Sequence, residues 1–312
     1  MLVGGFGTRL RPLTLTTPKP LLPVAGVPMI ERILGHLAEY GIDDVVLSLG
    51  FKPDAFMEAY PDDLCAGVRL SYAVEPTPLD TAGGIAFAAR AAGISERFVV
   101  VNGDVLTSAD LGALLSFHES SGAEGTIYLT PVDDPSHFGV VPTDESGRVL
   151  AFVEKPAPGT APTNLINAGY YVLEPSVIDR VPVEAKVNIE RVTFPAMVAE
   201  ETLYARHLPA YWIDVGTPER YLQANLDAAG GDPSSMVGPG CVIAADAVVE
   251  SSVLLAGVVV ESGAVVRRSM LGAGAVVSAG STVEDLTVLG DGVRTEPGST
   301  LTGVRVPDPE QG

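Results

Sequence analysis

A repeat of apolar residues in the last third of this 312-residue chain constrains its fold more than any other feature. The repeat runs in steps of six, with one step of five after residue 266, through Val242, Val248, Leu254, Val260, Val266, Leu271, Val277, Val283, Leu289, Thr295 and Leu301. Such spacing is typical of a parallel β-helix, in which each coil stacks an apolar position on the same position of the preceding coil. Ordinary β-hairpins, the alternative, have no reason to hold a six-residue period for so long.

The first 229 residues show a different pattern, in which β-branched runs alternate with amphipathic stretches. This alternation predicts an open α/β sheet with helices on both faces. Helices are predicted at 29–40 and from Pro218 to the glycines at 230–231. Strands are predicted at 45–49, 68–74, 98–101, 126–130, 149–153 and 169–173. The sequence thus predicts a domain at 1–229, a linker at 230–236, a β-helix at 237–306 and a loose tail at 307–312.

The first predicted strand is unusually short. Only Met1, Leu2 and Val3 precede the first glycine, whereas a strand normally supplies about five or six residues. This strand would lie at the centre of the sheet and lead directly into a glycine loop. We therefore expect the natural protein to carry several more apolar residues upstream.

The chain is strongly acidic, with a formal net charge of −20. Phosphates would be repelled over most of such a surface, which excludes nucleic acid and an anionic membrane surface as partners. The sequence predicts no membrane span, because no window approaches ~18–20 apolar residues, and no signal peptide. The two cysteines, Cys65 and Cys241, do not make a disulfide framework, so we expect a reducing, cytoplasmic location. Any phosphate site in this chain must create its own positive field.

A glycine loop near the N-terminus meets that requirement. Gly4, Gly5 and Gly7 can turn backbone N–H groups toward an anion, and Arg9 and Lys19 follow them. The loop is neither a Walker A sequence nor a dinucleotide fingerprint, because it lacks both the Gly-Lys-Ser/Thr ending and the third spaced glycine. A triphosphate needs such cations for neutralisation. These residues therefore predict a triphosphate site.

The string from Gly4 to Pro23 resembles the signature of the nucleotide-sugar pyrophosphorylases. Lys19-Pro20-Leu21 excludes the bacterial UTP–glucose-1-phosphate branch, which carries Lys-Glu-Met there. The resemblance continues through Val101-Asn102-Gly103-Asp104-Val105, Phe138-Gly139-Val140-Val141, Phe152-Val153-Glu154-Lys155-Pro156, Asn167-Ala168-Gly169-Tyr170-Tyr171-Val172, Asn188-Ile189-Glu190-Arg191 and Tyr211-Trp212-Ile213-Asp214-Val215-Gly216-Thr217-Pro218. The set is most similar to the mannose-1-phosphate guanylyltransferases. It implies a Rossmann-like mixed-sheet nucleotidyltransferase domain followed by a left-handed parallel β-helix of hexapeptide repeats.

The resemblance implies that a nucleoside triphosphate and a sugar 1-phosphate react with release of pyrophosphate. A sugar phosphate, with a second pKa of ~6, attacks without a protein base, so positioning and neutralisation matter most. Two anions must meet, which requires a hard cation with oxygen ligands. Asp104 and Asp214 are therefore predicted to hold one Mg²⁺. Arg9 is predicted to stabilise the transition state and the departing pyrophosphate, with Lys19 also binding phosphates.

The remaining predicted contacts fall into two groups. Lys155 is predicted to bind the sugar's phosphate and Glu154 the sugar hydroxyls, with Asn167 and the Gly139 backbone completing that pocket. The predicted nucleotide-binding residues are Gly4, Gly5, Gly7, Thr8, Arg9, Lys19, Glu75, Thr81 and Gly103.

The base is predicted from segment 75–84. Guanine presents adjacent N–H donors that the Glu75 carboxylate could accept, which favours GTP, although Glu75 could equally be a surface residue. Asp80 stands where the family commonly has glycine. The sequence leaves two alternatives open: another sugar-1-phosphate nucleotidyltransferase, such as a uridylyl- or thymidylyltransferase, and a non-catalytic regulatory paralogue that binds nucleotide sugar.

The β-helix is predicted to serve assembly or regulation. Acyltransferase relatives use a histidine in or beside their coils, and no histidine follows His207 here. Open coil edges and flat faces suit packing against another subunit, so we expect a homo-oligomer.

Overall fold

The computed structural model describes residues 1–50 and 52–308, which form two compact units. The sheet unit consists of Met1–Gly5 and Ile33–Trp212. The β-helix unit consists of Phe6–Arg32 and the described residues from Ile213 onward. The chain thus changes unit inside the glycine loop. The predicted division at 229/230 follows the sequence pattern instead, and those boundaries stay a prediction. Of the predicted tail, 309–312 lie outside the described residues.

Both predicted helices are confirmed. The first buries its apolar face, and the last begins at Thr217, whose Oγ1 accepts the Arg220 N–H, and ends at Gly230 with a left-handed φ of 58°. The α-helices are α1 (Met29–Ala38), α2 (Pro53–Ala59), α3 (Asp80–Ala91), α4 (Leu111–Ser121), α5 (Ser176–Asp179), α6 (Phe194–Ala199) and α7 (Pro218–Ala229). A 3₁₀ turn at Pro233–Met236 occupies part of the predicted linker.

The strands before the β-helix are mostly where the sequence predicts them. They are β1 (Pro23–Val24), β2 (Val27–Pro28), β3 (Asp44–Leu49), β4 (Leu64–Cys65), β5 (Val68–Val74), β6 (Phe98–Val101), β7 (Val105–Thr107), β8 (Gly125–Pro131), β9 (Gly139–Val140), β10 (Val153–Glu154), β11 (Leu165–Leu173), β12 (Leu203–His207) and β13 (Trp212–Asp214).

The predicted strand at 149–153 is wrong over most of its length. Only Val153 belongs to a strand, and Val149 makes a single bridge to Thr143. The Asp144 carboxylate accepts the N–H groups of Ser146 and Arg148 in a tight turn that leads directly into this segment. Beyond the turn, the Val149 N–H donates to Leu203 and the Leu150 N–H to Pro142, which has no N–H to return, so no continuous ladder forms.

Two sheets form the framework of the sheet unit. The larger has the order β10-β9-β11-β8-β12, with β6 also paired to β11, and it mixes parallel and antiparallel pairs. The smaller has the order β3-β5-β4. Leu2 forms parallel bridges to Ser48 on one side and to Asn102 on the other. The short N-terminal run thus lies between the ends of β3 and β6, and the mixed sheet is confirmed.

The β-helix unit stacks short parallel strands in three ladders, with the orders β14-β17-β20, β15-β18-β21-β23 and β16-β19-β22-β24. Leu254, Leu271 and Leu289 lie directly above one another and are fully buried, which confirms the repeat. The strands are β14 (Val242–Ile243), β15 (Val248–Glu250), β16 (Val253–Leu254), β17 (Val259–Val260), β18 (Val265–Arg267), β19 (Met270–Leu271), β20 (Val276–Val277), β21 (Thr282–Glu284), β22 (Val288–Leu289), β23 (Thr300–Thr302) and β24 (Arg305–Val306).

The first two positions of the predicted repeat are wrong by one residue. Ile243, not Val242, pairs with the buried Val260, and Val249, not Val248, pairs with Val266. The side chain of Val242 is 60% exposed. The reason is a second five-residue step, between 249 and 254, that shortens the first coil.

Within residues 1–50 and 52–308, no helix combines the length and the apolar character needed to cross a bilayer.

Candidate active site

The glycine loop is held in shape by packing inside the β-helix unit. Gly7 has a left-handed φ of 59°, and the Thr14 hydroxyl donates to the Gly7 carbonyl at 2.8 Å. A Cβ at Gly7 would stand 3.0 Å from Thr14 Cγ2 and 3.3 Å from Lys19 Cβ. Glycine is therefore required here both by backbone conformation and by space. The result is a compact loop with Lys19 packed against its turn.

Three predicted catalytic side chains converge around a second glycine, Gly216. A Cβ at Gly216 would lie 2.7 Å from Arg9 Nη2 and 2.9 Å from Asp214 Oδ1. Lys19 is buried, and its Nζ lies 3.9 Å from Asp214 Oδ1, beyond hydrogen-bond distance. We call these four residues the glycine cradle. It brings two cations and one carboxylate from distant parts of the sequence to one place.

Arg11 is a further cation that the sequence analysis did not assign. Its Nε is buried and has no hydrogen-bond partner among the described residues. A buried guanidinium donor without a partner is costly, so an anion or a water molecule at this position would be favoured. The sequence signal that could have pointed to Arg11 was its position two residues after Arg9 in the signature string.

The predicted sugar-phosphate residues are brought together in the sheet unit by strand register. Glu154 on β10 lies directly opposite Gly139 on β9, and Ile166, beside Asn167, lies opposite Val140. A Cβ at Gly139 would stand 2.5 Å from Phe152 Cζ and 3.2 Å from Glu154 Oε2. The absence of a side chain at Gly139 therefore lets Glu154 lie close to the β9 backbone.

Lys155 follows in a left-handed conformation with φ 48°. Its backbone N–H donates to the Phe138 carbonyl at 3.0 Å, and its Nζ lies 3.6 Å from Glu154 Oε1. The side chain is 62% exposed. An exposed ammonium on a fixed backbone can reach a phosphate that arrives from solvent.

Asn167 sits at the start of an irregularity in β11, where the register with β8 shifts between Asn167 and Tyr171. Its Oδ1 accepts the Gly169 N–H at 3.0 Å, and its Nδ2 donates to the Tyr171 hydroxyl at 2.9 Å. Gly169 adopts φ 80°, and a Cβ there would stand 2.7 Å from Asn102 Nδ2. Bulges of this kind redirect side chains next to active sites.

Asp104 lies in a short turn after β6, and backbone hydrogen bonds hold the two residues before it. The N–H of Asn102 donates to Gly169 and that of Gly103 donates to Leu2. Burial raises the pKa of Tyr171 well above its usual range, and three nearby carboxylates act in the same direction. In order of strength these are Glu190, Asp104 and Glu154. The predicted metal ligand and sugar ligand thus both act on Tyr171, as does Glu190, a residue without an assigned role.

The predicted nucleobase segment is tied to 187–190 by side chains. The Ile189 N–H donates to Thr81 Oγ1, and the Thr81 hydroxyl donates to Glu190 Oε2, both at 2.8 Å. Burial raises the pKa of Glu190. Asp80 has φ 62°, the conformation that glycine would adopt without strain, and its Oδ1 accepts the Thr81 N–H and the Asn188 Nδ2 group.

Glu75 has structural partners at both carboxylate oxygens. Oε1 accepts the Ser48 hydroxyl at 2.9 Å, and Oε2 accepts the Leu79 N–H at 2.9 Å. A Cβ at Gly84 would stand 2.8 Å from Oε1. Each oxygen keeps a second lone pair, so this arrangement fixes the carboxylate while leaving acceptor capacity.

No group of three or more His, Cys, Asp or Glu side chains in the described part of the chain is arranged to hold a metal ion. A site with two carboxylates completed by substrate phosphates does not need such a group. Asp104 belongs to the sheet unit and Asp214 to the β-helix unit. Both offer hard oxygen donors, which suit Mg²⁺. The shared ion stays a prediction.

Comparison with known proteins identifies both parts of the chain. Residues 1–230 match the family model described as nucleotidyl transferase, and residues 227–310 match the GMPPB C-terminal domain. Mannose-1-phosphate guanylyltransferase of Mycobacterium tuberculosis is 46% identical over 74% of this chain and 64% of its own length. Mannose-1-phosphate guanylyltransferase 1 of Arabidopsis thaliana is 39% identical over 82% of this chain and 79% of its own. The chain thus spans less than two thirds of the mycobacterial relative.

Solved structures agree with this assignment. HddC from Yersinia pseudotuberculosis is 29% identical, with a TM-score of 0.62 over 73% of this chain and 97% of its own. The same similarity holds for HddC complexed with GMP-PN. Family models and relatives together cover both regions that the sequence analysis distinguished. This chain therefore belongs to the nucleotidyl transferase family.

Proposed function

We propose that this protein transfers GMP from GTP to mannose 1-phosphate, forming GDP-mannose and pyrophosphate. The observation that carries the proposal is the glycine cradle, where Arg9, Lys19 and Asp214 meet around Gly216. Arg9 and Lys19 create the local positive field that a phosphate site requires in a chain with a net charge of −20. The names of the relatives support the guanine nucleotide and the mannose.

In the proposed reaction, a phosphate oxygen of mannose 1-phosphate attacks the α-phosphorus of GTP. A new P–O bond forms, the bond between the α-phosphorus and the bridging oxygen breaks, and pyrophosphate leaves. Arg9 neutralises charge in the transition state and on the leaving group, and Lys19 binds the triphosphate. Gly4, Gly5, Gly7, Thr8 and Gly103 contribute backbone or hydroxyl groups around the nucleotide.

Lys155 holds the attacking phosphate, while Glu154, Asn167 and the Gly139 backbone orient the mannose ring. Bound Mg²⁺ would neutralise the two phosphates and act as a Lewis acid. Asp104 and Asp214 are the residues that would hold it, because both supply carboxylate oxygens. Glu75, fixed by Ser48 and Leu79, accepts the guanine N–H donors, with Thr81 close to the base.

We further propose a homo-oligomer assembled through the β-helix. Support comes from β14, an edge strand whose Val242 is mostly exposed. Cys65 and Cys241 form no disulfide among the described residues, which is compatible with the cytoplasm. Sedimentation equilibrium of the full chain tests the assembly, and a monomeric mass would reject it.

Pyrophosphate release tests the reaction. The full chain is assayed with each of the four nucleoside triphosphates against mannose 1-phosphate and glucose 1-phosphate, with Mg²⁺ present. We expect GTP with mannose 1-phosphate to give the highest kcat/KM. A clear preference for UTP or dTTP would reject the guanine assignment, and no release with any pair would favour a regulatory paralogue.

A further inference from the structure

One corner of the β-helix touches residues 12–16 of the signature string, which we call the signature segment. The Thr16 hydroxyl donates to Asp291 Oδ2 at 2.6 Å. A Cβ at the neighbouring Gly290 would stand 3.1 Å from Pro12 Cβ, so this glycine lets the coil approach Pro12 closely. Both contacts join residues that are far apart in sequence and belong to the β-helix unit. The two contacts lie at the two ends of residues 12–16, which are part of the stretch between Arg9 and Lys19.

The contacted stretch is linked to the glycine loop by short-range bonds. Thr14, between the two contact points, donates to Gly7, and Gly7 packs against the Lys19 side chain. Lys19 in turn lies beside Asp214 in the glycine cradle. A displacement at Thr16 would therefore reach Lys19 after only three residues of chain.

The coil corner is itself anchored. Asp291 Oδ1 accepts the Ala273 N–H at 2.8 Å from the coil before it, while Oδ2 is the atom that accepts Thr16. One carboxylate therefore connects the stacked coils to the signature segment. By contrast Asp246, another aspartate of the β-helix, accepts the Ser262 hydroxyl within the β-helix.

We infer that the β-helix positions the cations of the triphosphate site, and that Asp291 is the positioning residue through its bond to Thr16. This inference rests on the proposed function for the identity of the triphosphate. It gives the second domain a role in nucleotide binding within the same chain, distinct from assembly. Asp291 and Thr16 act through Arg9 and Lys19, which are the residues proposed to contact phosphate.

The test compares Thr16→Val and Asp291→Ala with the wild-type full chain. Valine removes the hydroxyl at nearly constant volume and leaves the Asp291–Ala273 bond in place. We expect the KM for GTP to rise about fivefold in both variants, which corresponds to ~1 kcal/mol of binding free energy. The KM for mannose 1-phosphate is expected to change less than twofold. Thr16→Ser, which keeps the hydroxyl, and Asp246→Ala should behave like the wild type.

The double variant measures coupling. Because the Thr16–Asp291 bond is already lost in Asp291→Ala, adding Thr16→Val should make the double variant no worse than Asp291→Ala alone. The Kd of inorganic pyrophosphate is measured by calorimetry in parallel. The ratio of this Kd between variant and wild type tests the phosphate site even if GTP is not the substrate. A wild type that prefers another triphosphate would count against the proposed function alone. Unchanged GTP and pyrophosphate binding, or an equal rise in both KM values, would overturn the inference.

Discussion

The two groups of predicted site residues are held in different ways. In the sheet unit, Glu154 and Gly139 face each other because antiparallel strands place them in register. In the β-helix unit, Arg9 and Asp214 come from separate stretches and lie together because Gly216 leaves room for them, and Lys19 lies 3.9 Å from Asp214. The first arrangement follows from backbone hydrogen bonds, and the second from the absence of one side chain.

This difference teaches which site tolerates change. Strand register fixes the backbone while side chains such as that of Lys155 remain exposed and adjustable. Arg9 is exposed as well, but Gly216 beside it is buried and leaves no room for an added methyl group unless Arg9 or Asp214 moves. We therefore expect substitutions in the cradle to lower turnover, and substitutions in the sheet unit to weaken binding of the sugar phosphate.

The largest expected effect is at the carboxylates. Asp104→Asn and Asp214→Asn should each lower kcat by about 100-fold or more, because each removes a charge that the proposed transfer needs. Steady-state pyrophosphate release measures kcat, and circular dichroism checks folding. Asp232→Asn, in the exposed turn before Pro233, serves as the control. Near-normal turnover in either variant would remove that residue from the metal site.

Gly216→Ala tests the cradle directly. The new methyl group would stand within 3 Å of Arg9 Nη2 and Asp214 Oδ1, so one of them must move. We expect kcat to fall by roughly 10- to 100-fold, as for a displaced catalytic group. Gly35→Ala in α1 is the matched control, since its methyl group would come no closer than 4.0 Å to Ala66. Normal turnover in Gly216→Ala would show that the cradle is not tightly packed.

Lys155→Met tests the sheet unit. Losing one charge-assisted bond to phosphate should raise the KM for mannose 1-phosphate by about tenfold, with the KM for GTP unchanged. Lys186→Met, at an exposed lysine of the same unit, should leave both constants unchanged. A change in the KM for GTP alone would contradict the assignment of Lys155 to the sugar's phosphate.

Asp80 tests a backbone effect on stability. Asp80→Ala keeps a β-carbon at a left-handed φ of 62° and loses the bonds to Thr81 and Asn188, whereas Asp80→Gly loses the same bonds but fits the backbone. The alanine variant should therefore be less stable than the glycine variant by about 1 kcal/mol. Thermal unfolding of both variants measures the difference. Equal stabilities would show that the left-handed conformation is not costly here.

The smallest expected effect is a pH dependence at Glu190. Burial raises its pKa in the folded state above 4.5, so the folded state binds the proton more tightly than the unfolded state. Its contribution to stability is present below pH 4.5 and is lost as the pH rises through the folded-state pKa. Glu190→Gln, which can still accept the Thr81 hydroxyl, should flatten this part of the stability curve. Parallel curves for wild type and variant would contradict the shift.

Sequence patterns predicted most of the fold and missed particular positions for physical reasons. The period of six located the buried column at Leu254, Leu271 and Leu289. It misplaced Val242 and Val248, because an unbroken period of six extended back from Leu254 passes over the five-residue step between 249 and 254. The prediction of a strand at 149–153 was wrong because the Val149 N–H donates to Leu203 and the Leu150 N–H to Pro142, which has no N–H to return, so no continuous ladder forms.

In the candidate site, too, the sequence predicted some residues and missed others. Motifs predicted Glu154, Lys155 and Asn167, and the register of β9, β10 and β11 brings these segments together. No motif could show that Asn188 bonds to Asp80 or that Asp291 bonds to Thr16, since these pairs are separated by 108 and 275 residues. Arg11 and Gly216 lay within recognised strings, but their burial and packing were needed to give them a role.

The sequence by itself determined the repeat, the helix boundaries and the chemical character of the loop, because these depend on residue spacing and on the conformations that each residue allows. Only the tertiary structure decided which side chains meet. The chain changes unit between Gly5 and Phe6, so the signature segment folds with the β-helix rather than with the sheet. That choice depends on the contacts of Pro12, Thr16 and Lys19 with residues more than 190 positions away, and local spacing carries no information about such contacts.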